Sequence, residues 1–237
     1  IENSSLTTIN IVECDTLLQF TNLTFRNLTK LNIVTTDIRE ISFLNCPYLK
    51  ILHVEQFMQS ILSLHDLDLP SLEDLLLWVF KIENFYNITI PNIQKASIML
   101  SNEPLEYTPS QRVDLTSFKP LKSIQICFAA EILIHVESLA ELHVRGPFNN
   151  NILFQQPFPA LKTLHVYFNN ALTRVPLIIA PNLTSLKLSR CISIWLLDNS
   201  DFDTYPRLEK ILVEYSGITH MVSLHLPNLK SLNYISS

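Results

Sequence analysis

One spacing constrains this chain more than any other feature. An apolar residue is followed by others three and five positions on, and the pattern returns about every 22 residues. Seven copies stand behind a proline: "PYLKILHV" from Pro47, "PSLEDLLL" from Pro70, "PNIQKASI" from Pro91, "PALKTLHV" from Pro159, "PNLTSLKL" from Pro181, "PRLEKILV" from Pro206 and "PNLKSLNY" from Pro227. Four lack a proline two residues before the first apolar position: "LTTINI" at Leu6, "LTKLNI" at Leu28, "LKSIQI" at Leu121 and "LAELHV" at Leu139. The units start near 6, 28, 49, 72, 93, 121, 139, 161, 183, 208 and 229, the long step before 121 being offset by a short one after it. Self-similarity at a short fixed period marks a stacked array.

Within each unit the last two apolar residues flank one polar residue. That is the period of a strand, and it gives a short strand with one apolar face. One unit cannot bury that face alone, whereas stacked neighbours do so by extending a parallel sheet. The prolines fall just before the strands, where no ladder donor is lost. The second limb of a unit has a looser rhythm, as in "IREISFL" (38–44), "LTRVPLI" (172–178) and "ITHMVSLHL" (218–226). None of these is long enough for an amphipathic helix, so the return limb is expected to be extended or built of single helical turns.

The pattern L-x-x-L-x-L-x-x-(N/C/S/T), repeated over essentially all of 1–237, resembles the leucine-rich repeat superfamily. The resemblance implies an α/β solenoid that is mostly β. It would be a horseshoe with a concave parallel sheet and an irregular convex side, one solenoid of about eleven repeats. It also implies that the ninth position, Cys14, Thr36, Asn169, Cys191 and Ser216 in the better repeats, hydrogen-bonds loop backbone from inside. Phe57, Phe80 and Ala129 depart from that rule and predict a less regular turn. A repeat begins at Leu6 and another runs almost to the last residue, so further repeats or capping segments are expected at both ends.

If the strands are placed correctly, the residue between the paired apolar positions and the two after them face out of the concave sheet. The predicted surface then gathers Trp78, Val79, Met99, Leu100, Cys127 and Phe128 over three neighbouring repeats, with His143, Arg145, His165, Tyr167 and Phe168 beyond them. Aromatic and methionine side chains flanked by arginine are what interface cores favour, and a contiguous exposed apolar patch marks a partner site. The competing expectation is that a loop or further domain covers the patch. His143 and His165 are equivalent in adjacent units; a closed zinc site needs four ligands, so no metal is assigned and a pair of surface histidines is expected, with pH-sensitive binding near pH 6 as the alternative.

Other function classes recede. The net charge of −5 offers no basic stripe for nucleic acid. Only two glycines leave little for phosphate-cradling loops, and no nucleophile elbow, Walker loop, H-E-x-x-H or C-x-x-C is present. "HDLD" (65–68) sets a histidine beside acids, but it reads as a solvated edge of a return limb. No cofactor and no enzyme activity are expected, and no apolar run is long enough to span a membrane.

Cys14 and Cys191 occupy the same repeat position eight units apart, too far for a disulfide, and Cys46 and Cys127 lie on opposite limbs. Free thiols point to the cytoplasm or nucleus. Five N-x-S/T sequons, at Asn3, Asn22, Asn27, Asn87 and Asn182, keep a secreted or cell-surface glycoprotein open. The expected role is a non-catalytic scaffold that binds a protein partner. Glycine-poor irregular repeats also resemble the substrate-reading part of F-box/leucine-rich-repeat ubiquitin-ligase receptors, which implies an upstream F-box and a Skp-type adaptor. A structural subunit of a large assembly is the remaining alternative.

Overall fold

The computed structural model describes residues 5–14, 16–34, 37–56, 61–100, 112–114, 118–127, 131–133, 136–146 and 157–236. In chain order the strands are β1 (Thr8–Val12), β2 (Gln19–Thr21), β3 (Lys30–Val34), β4 (Glu40–Ser42), β5 (Ile51–Glu55), β6 (Ile61–Asp68), β7 (Asp74–Val79), β8 (Lys81–Thr89), β9 (Lys95–Leu100) and β10 (Arg112–Asp114). They continue with β11 (Ser123–Cys127), β12 (Glu131–Leu133), β13 (Glu141–Arg145), β14 (Thr163–Tyr167), β15 (Ser185–Ser189), β16 (Leu196–Asp198), β17 (Lys210–Glu214), β18 (His220–Val222) and β19 (Ser231–Ile235).

Eleven of them, one from each spaced apolar segment, form a single parallel sheet in the order β1-β3-β5-β7-β9-β11-β13-β14-β15-β17-β19. The protein is a mostly β parallel solenoid. Helix among the described residues is limited to a 3₁₀ turn at Asn199–Asp201, so the α component of the expected α/β class is absent there. The register keeps equivalent residues opposite one another: Leu142 pairs with Leu164, Leu164 with Leu186, Leu186 with Ile211. Strand side chains alternate, and the inward set (Leu31, Ile33, Leu52, Val54, Leu164, Val166, Leu186 and Leu188) is fully buried. At the two ends the stacking is incomplete. Ile9 and Ile11 are only partly buried, and Leu232 and Tyr234, the inward positions of β19, are exposed.

The proline motif is a turn. The amide of each leading Leu or Ile donates to the carbonyl three residues back, Leu49 to Cys46, Leu72 to Leu69, Leu183 to Ala180, Leu208 to Tyr205, at 3.0–3.1 Å. This places proline second in a four-residue turn, where its fixed φ suits the backbone and its missing N–H is not needed. The residue that opens the turn is a further core row: Phe25, Cys46, Leu69, Ile90, Phe118, Phe158, Ala180 and Tyr205 are all buried. The residue after proline carries a second device. Ser71 Oγ donates to the Pro47 carbonyl at 2.7 Å, Asn92 Nδ2 to Pro70 at 2.6 Å, Asn182 Nδ2 to Pro159 at 2.7 Å and Asn228 Nδ2 to Pro206 at 2.9 Å. Each such side chain ties one turn to the carbonyl of the turn before it.

The return limbs differ along the chain. In the first four repeats they form their own four-stranded parallel sheet, β2-β4-β6-β8, with Phe20, Ile41, Leu62 and Leu64 turned into the core. The strands β10 and β12, and β16 and β18, make separate pairs. Between Asn169 and Ala180 the return limb has no ladder, yet Leu172, Val175 and Ile178 are buried. Side chains hold this stretch in place. Asn169 Oδ1 accepts from the amides of Ala171 (2.9 Å) and Leu172 (3.1 Å). The Tyr205 hydroxyl donates to the Pro176 carbonyl and accepts from the Ile178 amide at 3.2 Å. Arg174 Nε reaches the buried Asp201 carboxylate at 2.8 Å, and its Nη2 reaches Asp198 at 2.9 Å. Those two acids also cap the 3₁₀ turn, Asp198 accepting from the Ser200 amide and Asp201 from the Asp198 amide.

Candidate functional site

The outer face of the eleven-stranded sheet is built by alternation. In β7 the inward residues are Leu75, Leu77 and Val79, so Leu76 and Trp78 face out; in β9 Ala96, Ile98 and Leu100 face in and Met99 faces out. Two expected patch members are therefore corrected: Val79 and Leu100 belong to the core. The second residue after a strand's inward position alternates back inside when the strand simply continues. Gln56 does the same, with its amide donating to the Ile38 carbonyl from a buried position. Phe128 lies outside the described residues, as do Asn3, Thr36, Phe57 and Ala129. Cys127 ends β11 with its backbone between Met99 and Arg145, and its side chain is likewise outside what is described.

Phe168 is exposed, but by another route than alternation. Its φ is 56°, and Arg190 (54°), Tyr215 (49°) and Glu13 (52°) share that left-handed backbone at the same repeat position. The twist lifts the side chain out of the sheet plane and lets the next residue point inward. That next residue is Asn169, Cys191, Ser216 or Cys14; Asn169 and Ser216 bond loop backbone, whereas Cys191 bonds strand backbone. Asn169 bonds as described, the Cys191 thiol reaches the Val166 carbonyl at 3.7 Å, and Ser216 Oγ accepts from the Cys191 amide at 3.2 Å. Burial pushes the Cys191 thiol up to about 11, and does the same for Cys46, so both are poor nucleophiles. Cys14, Cys46 and Cys191 are free thiols.

The predicted residues that do come together form one polar–aromatic surface over β9 to β17. The rings of His143 and His165 lie 5.5 Å apart edge to face, and His165 packs on Tyr167 at 4.7 Å. Gln125 Nε2 donates to the Tyr167 hydroxyl at 2.6 Å and approaches the Met99 sulfur at 3.7 Å. On the other side His165 Nε2 meets Ser189 Oγ at 3.2 Å. Ser189 Oγ donates to Glu214 Oε2 at 3.0 Å, and Lys187 Nζ reaches the same carboxylate at 2.8 Å. Lys187 and Ser189 hold the Glu214 carboxyl below its ordinary value. Next to Trp78 and Met99, Ser97 is buried at 5% exposure on this same face, and its hydroxyl has no partner among the described residues.

Burial pulls His165 down to about 4, helped by Lys187 and His143; burial also lowers His143. The His165 imidazole is therefore neutral near pH 6, which moves its pH response to more acid conditions. No group of three or more His, Cys, Asp and Glu placed to hold a metal is found among the described residues.

The "HDLD" histidine is not on a solvated edge. His65 on β6 stacks on Tyr86 at 5.0 Å, meets Phe43 edge-on at 6.0 Å, and sits between Asp66 (2.8 Å) and Glu40 (3.5 Å). Hydrogen bonds from Asn87 and then His65 hold Asp66 below its ordinary value. The buried Ser42 hydroxyl donates to Glu40 at 2.7 Å, not to the imidazole, so no serine–histidine nucleophile pair is assembled.

Sequence reasoning left Gln125, Lys187, Ser189, Arg190, Glu214 and Tyr215 out of the site. A signal for Arg190 and Tyr215 was present. Each directly precedes a small polar or thiol residue at the ninth repeat position, and that is where the backbone turns left-handed. Of the sequons, Asn22, Asn27 and Asn87 are exposed, whereas the Asn182 amide is held between the Pro159 carbonyl and Arg207. No helix among the described residues is long and apolar enough to cross a membrane. Compared with known proteins, the chain matches no family model and no curated protein.

Proposed function

We propose that this chain is a non-catalytic recognition scaffold of the leucine-rich-repeat type. It grips a protein partner on the outer face of the eleven-stranded sheet, the concave side of the horseshoe in this reading. The supporting observation is the continuous surface from Trp78 and Met99 through Gln125, His143, His165 and Tyr167 to Phe168 and Arg145. It sits on rigid parallel strands, and aromatic groups are presented there without burial in the core. Its composition is that of an interface centre, with charged groups either paired or stacked on rings. The buried, free Cys46 and Cys191 thiols fit an intracellular form of this role, such as the substrate reader of a ubiquitin ligase.

A photo-crosslinking residue at 78 or 167, in protein made in its native source, tests this against the same residue at Phe43 or Ile192, both exposed on the return limbs. The reading expects positions 78 and 167 to capture the same polypeptides and the other two not to. Equal capture at all four positions overturns it. Exposure of Asn22, Asn27 and Asn87 favours one second reading, a glycosylated surface recognition protein, and hexose-ladder mass additions on native material would replace the intracellular form with it.

A further inference from the structure

At the strand ends of the sheet's second half, four side chains from successive repeats are stacked alternately. The Arg145 guanidinium carbon lies 4.9 Å from the Phe168 ring centroid, Arg190 lies 4.8 Å from the same ring, and Arg190 is 5.8 Å from the Tyr215 ring. The left-handed backbone at Phe168, Arg190 and Tyr215 lifts these groups off the sheet, and Phe168 and Tyr215 are 42% and 48% exposed. Such a backbone is unfavourable for bulky side chains, so three in a row mark a surface that the fold supports at a cost.

A guanidinium held over a ring by its cation–π contact still offers its N–H groups in the planar fork that suits a carboxylate. Neither arginine has a carboxylate or hydrogen-bond acceptor among the described residues. The nearby cation, Lys187, is already spent on Glu214. In a chain of net charge −5 this is a local, uncompensated positive site. The two arginines lie two strand spacings apart, about 9.6 Å.

We infer that the Arg145–Phe168–Arg190–Tyr215 stack is the docking site for an acidic, extended segment of the protein partner, with carboxylates three residues apart. In a polyproline-type strand such residues lie on one side at about 9.3 Å, which matches the two forks. Each carboxylate takes a bidentate pair from one arginine. The segment's apolar parts rest on Phe168 and Tyr215. Nucleic acid and anionic membranes fit less well, because a net negative chain repels an extended polyanion beyond two isolated cations. The inference rests on the proposed recognition face and specifies the chemistry of its partner.

The test uses labelled peptides made of four Glu-Pro-Pro, Gln-Pro-Pro or Lys-Pro-Pro triplets, read by fluorescence anisotropy at low salt. The acidic peptide is expected to bind at least about tenfold tighter than the neutral one and to weaken as salt rises. Arg145→Gln and Arg190→Gln are each expected to lose about tenfold. Arg145→Lys should recover part of that loss, because charge returns without the planar fork. Both arginines are off the core, and circular dichroism verifies the fold of each variant. Equal binding of the acidic and neutral peptides, absence of binding to all three, or arginine variants that bind like the parent each overturn the inference. So does a short heparin fragment binding where the acidic peptide does not. Cross-linking at 78 and 167 separates the two failures: capture there that persists in Arg145→Gln, Arg190→Gln leaves the recognition face standing and removes only the acidic partner.

Discussion

The two halves of the solenoid solve the same problem with different materials. Both stack the same strand into one sheet, and both must return the chain across the far side without stranding backbone groups in the core. The first half returns in β2, β4, β6 and β8, whose amides and carbonyls satisfy one another. In the second half one limb, residues 169–180, returns without a ladder and uses Asn169, Tyr205, Arg174 and Asp201 instead, while β16 and β18 pair beyond it. A backbone ladder tolerates any side chain that suits the local face. A limb held by side chains depends on particular atoms, so the two halves should respond differently to substitution.

The largest contrast is expected at Tyr205 and Gly217. Tyr205 is 1% exposed, and Tyr205→Ala removes a core ring as well as the hydroxyl, costing about 3–5 kcal/mol. Tyr205→Phe isolates the hydroxyl at about 1–3 kcal/mol, since the Ile178 amide loses its acceptor. At Gly217 an added Cβ would sit 1.9 Å from the Ile192 carbonyl oxygen, so Gly217→Ala should displace the neighbouring turn and destabilise by about 2 kcal/mol or more. Urea unfolding measures all three, and values under about 0.5 kcal/mol for Tyr205→Phe would erase the distinction between the halves.

Next in size is a matched pair of asparagines. Asn169→Ala strips the buried Leu172 amide and the part-buried Ala171 amide of their acceptor and should cost about 2 kcal/mol. Asn84→Ala in the first half loses only a side-chain bond to Ser63 beside an intact ladder, and should stay within about 0.5 kcal/mol. Hydrogen exchange sharpens the comparison: the β4 and β6 amides are expected to exchange together and slowly. Around 169–178 the slow amides should include those of Ala171, Leu172 and Ile178.

On the outer face, His165 makes the stability of the second half sensitive to acid. The unfolded chain takes up this proton near 6.5 and the folded chain only near about 4, so the unfolded state binds more protons between those values. Stability is therefore full above about pH 6.5, falls as pH drops towards 4, and levels off below. A nuclear magnetic resonance titration of the His165 ring checks the folded midpoint, and His165→Gln should flatten this part of the pH profile. A small effect is expected at the turn ties, where Asn92→Ala removes one exposed hydrogen bond and costs about 0.5 kcal/mol.

Much of this was legible from residue spacing, because a strand's period and a stacked array's period are both written in apolar positions. Leu186 and Leu188 announce an inward face without any knowledge of the neighbours. Val79 and Leu100 were misplaced because exposure after a strand depends on one φ angle, and composition alone does not state it. Had the small polar residue at the ninth position been taken as the sign of a left-handed residue before it, Phe168, Arg190 and Tyr215 would have separated from Val79, but not from Leu100, which precedes Ser101 and is buried all the same. The ties after proline were hidden for another reason. Asn and Ser in "PNL" and "PSL" read as ordinary turn residues, and their acceptor lies a whole repeat away. The Arg174–Asp201 bridge, 27 residues apart, follows no period at all.

The sheet order has a mechanical consequence. Every strand of the large sheet pairs its backbone only with the strands of the repeats immediately before and after it, so tension applied to the two chain ends meets one lateral ladder at a time. Pulling should peel the solenoid from an end in discrete steps, each yielding one repeat of about 22 residues, or roughly 75 Å of extended chain. The end strands, with inward residues already half open to water, should give way first. The polar clamp around Arg174 and Tyr205 should register as the step that resists most.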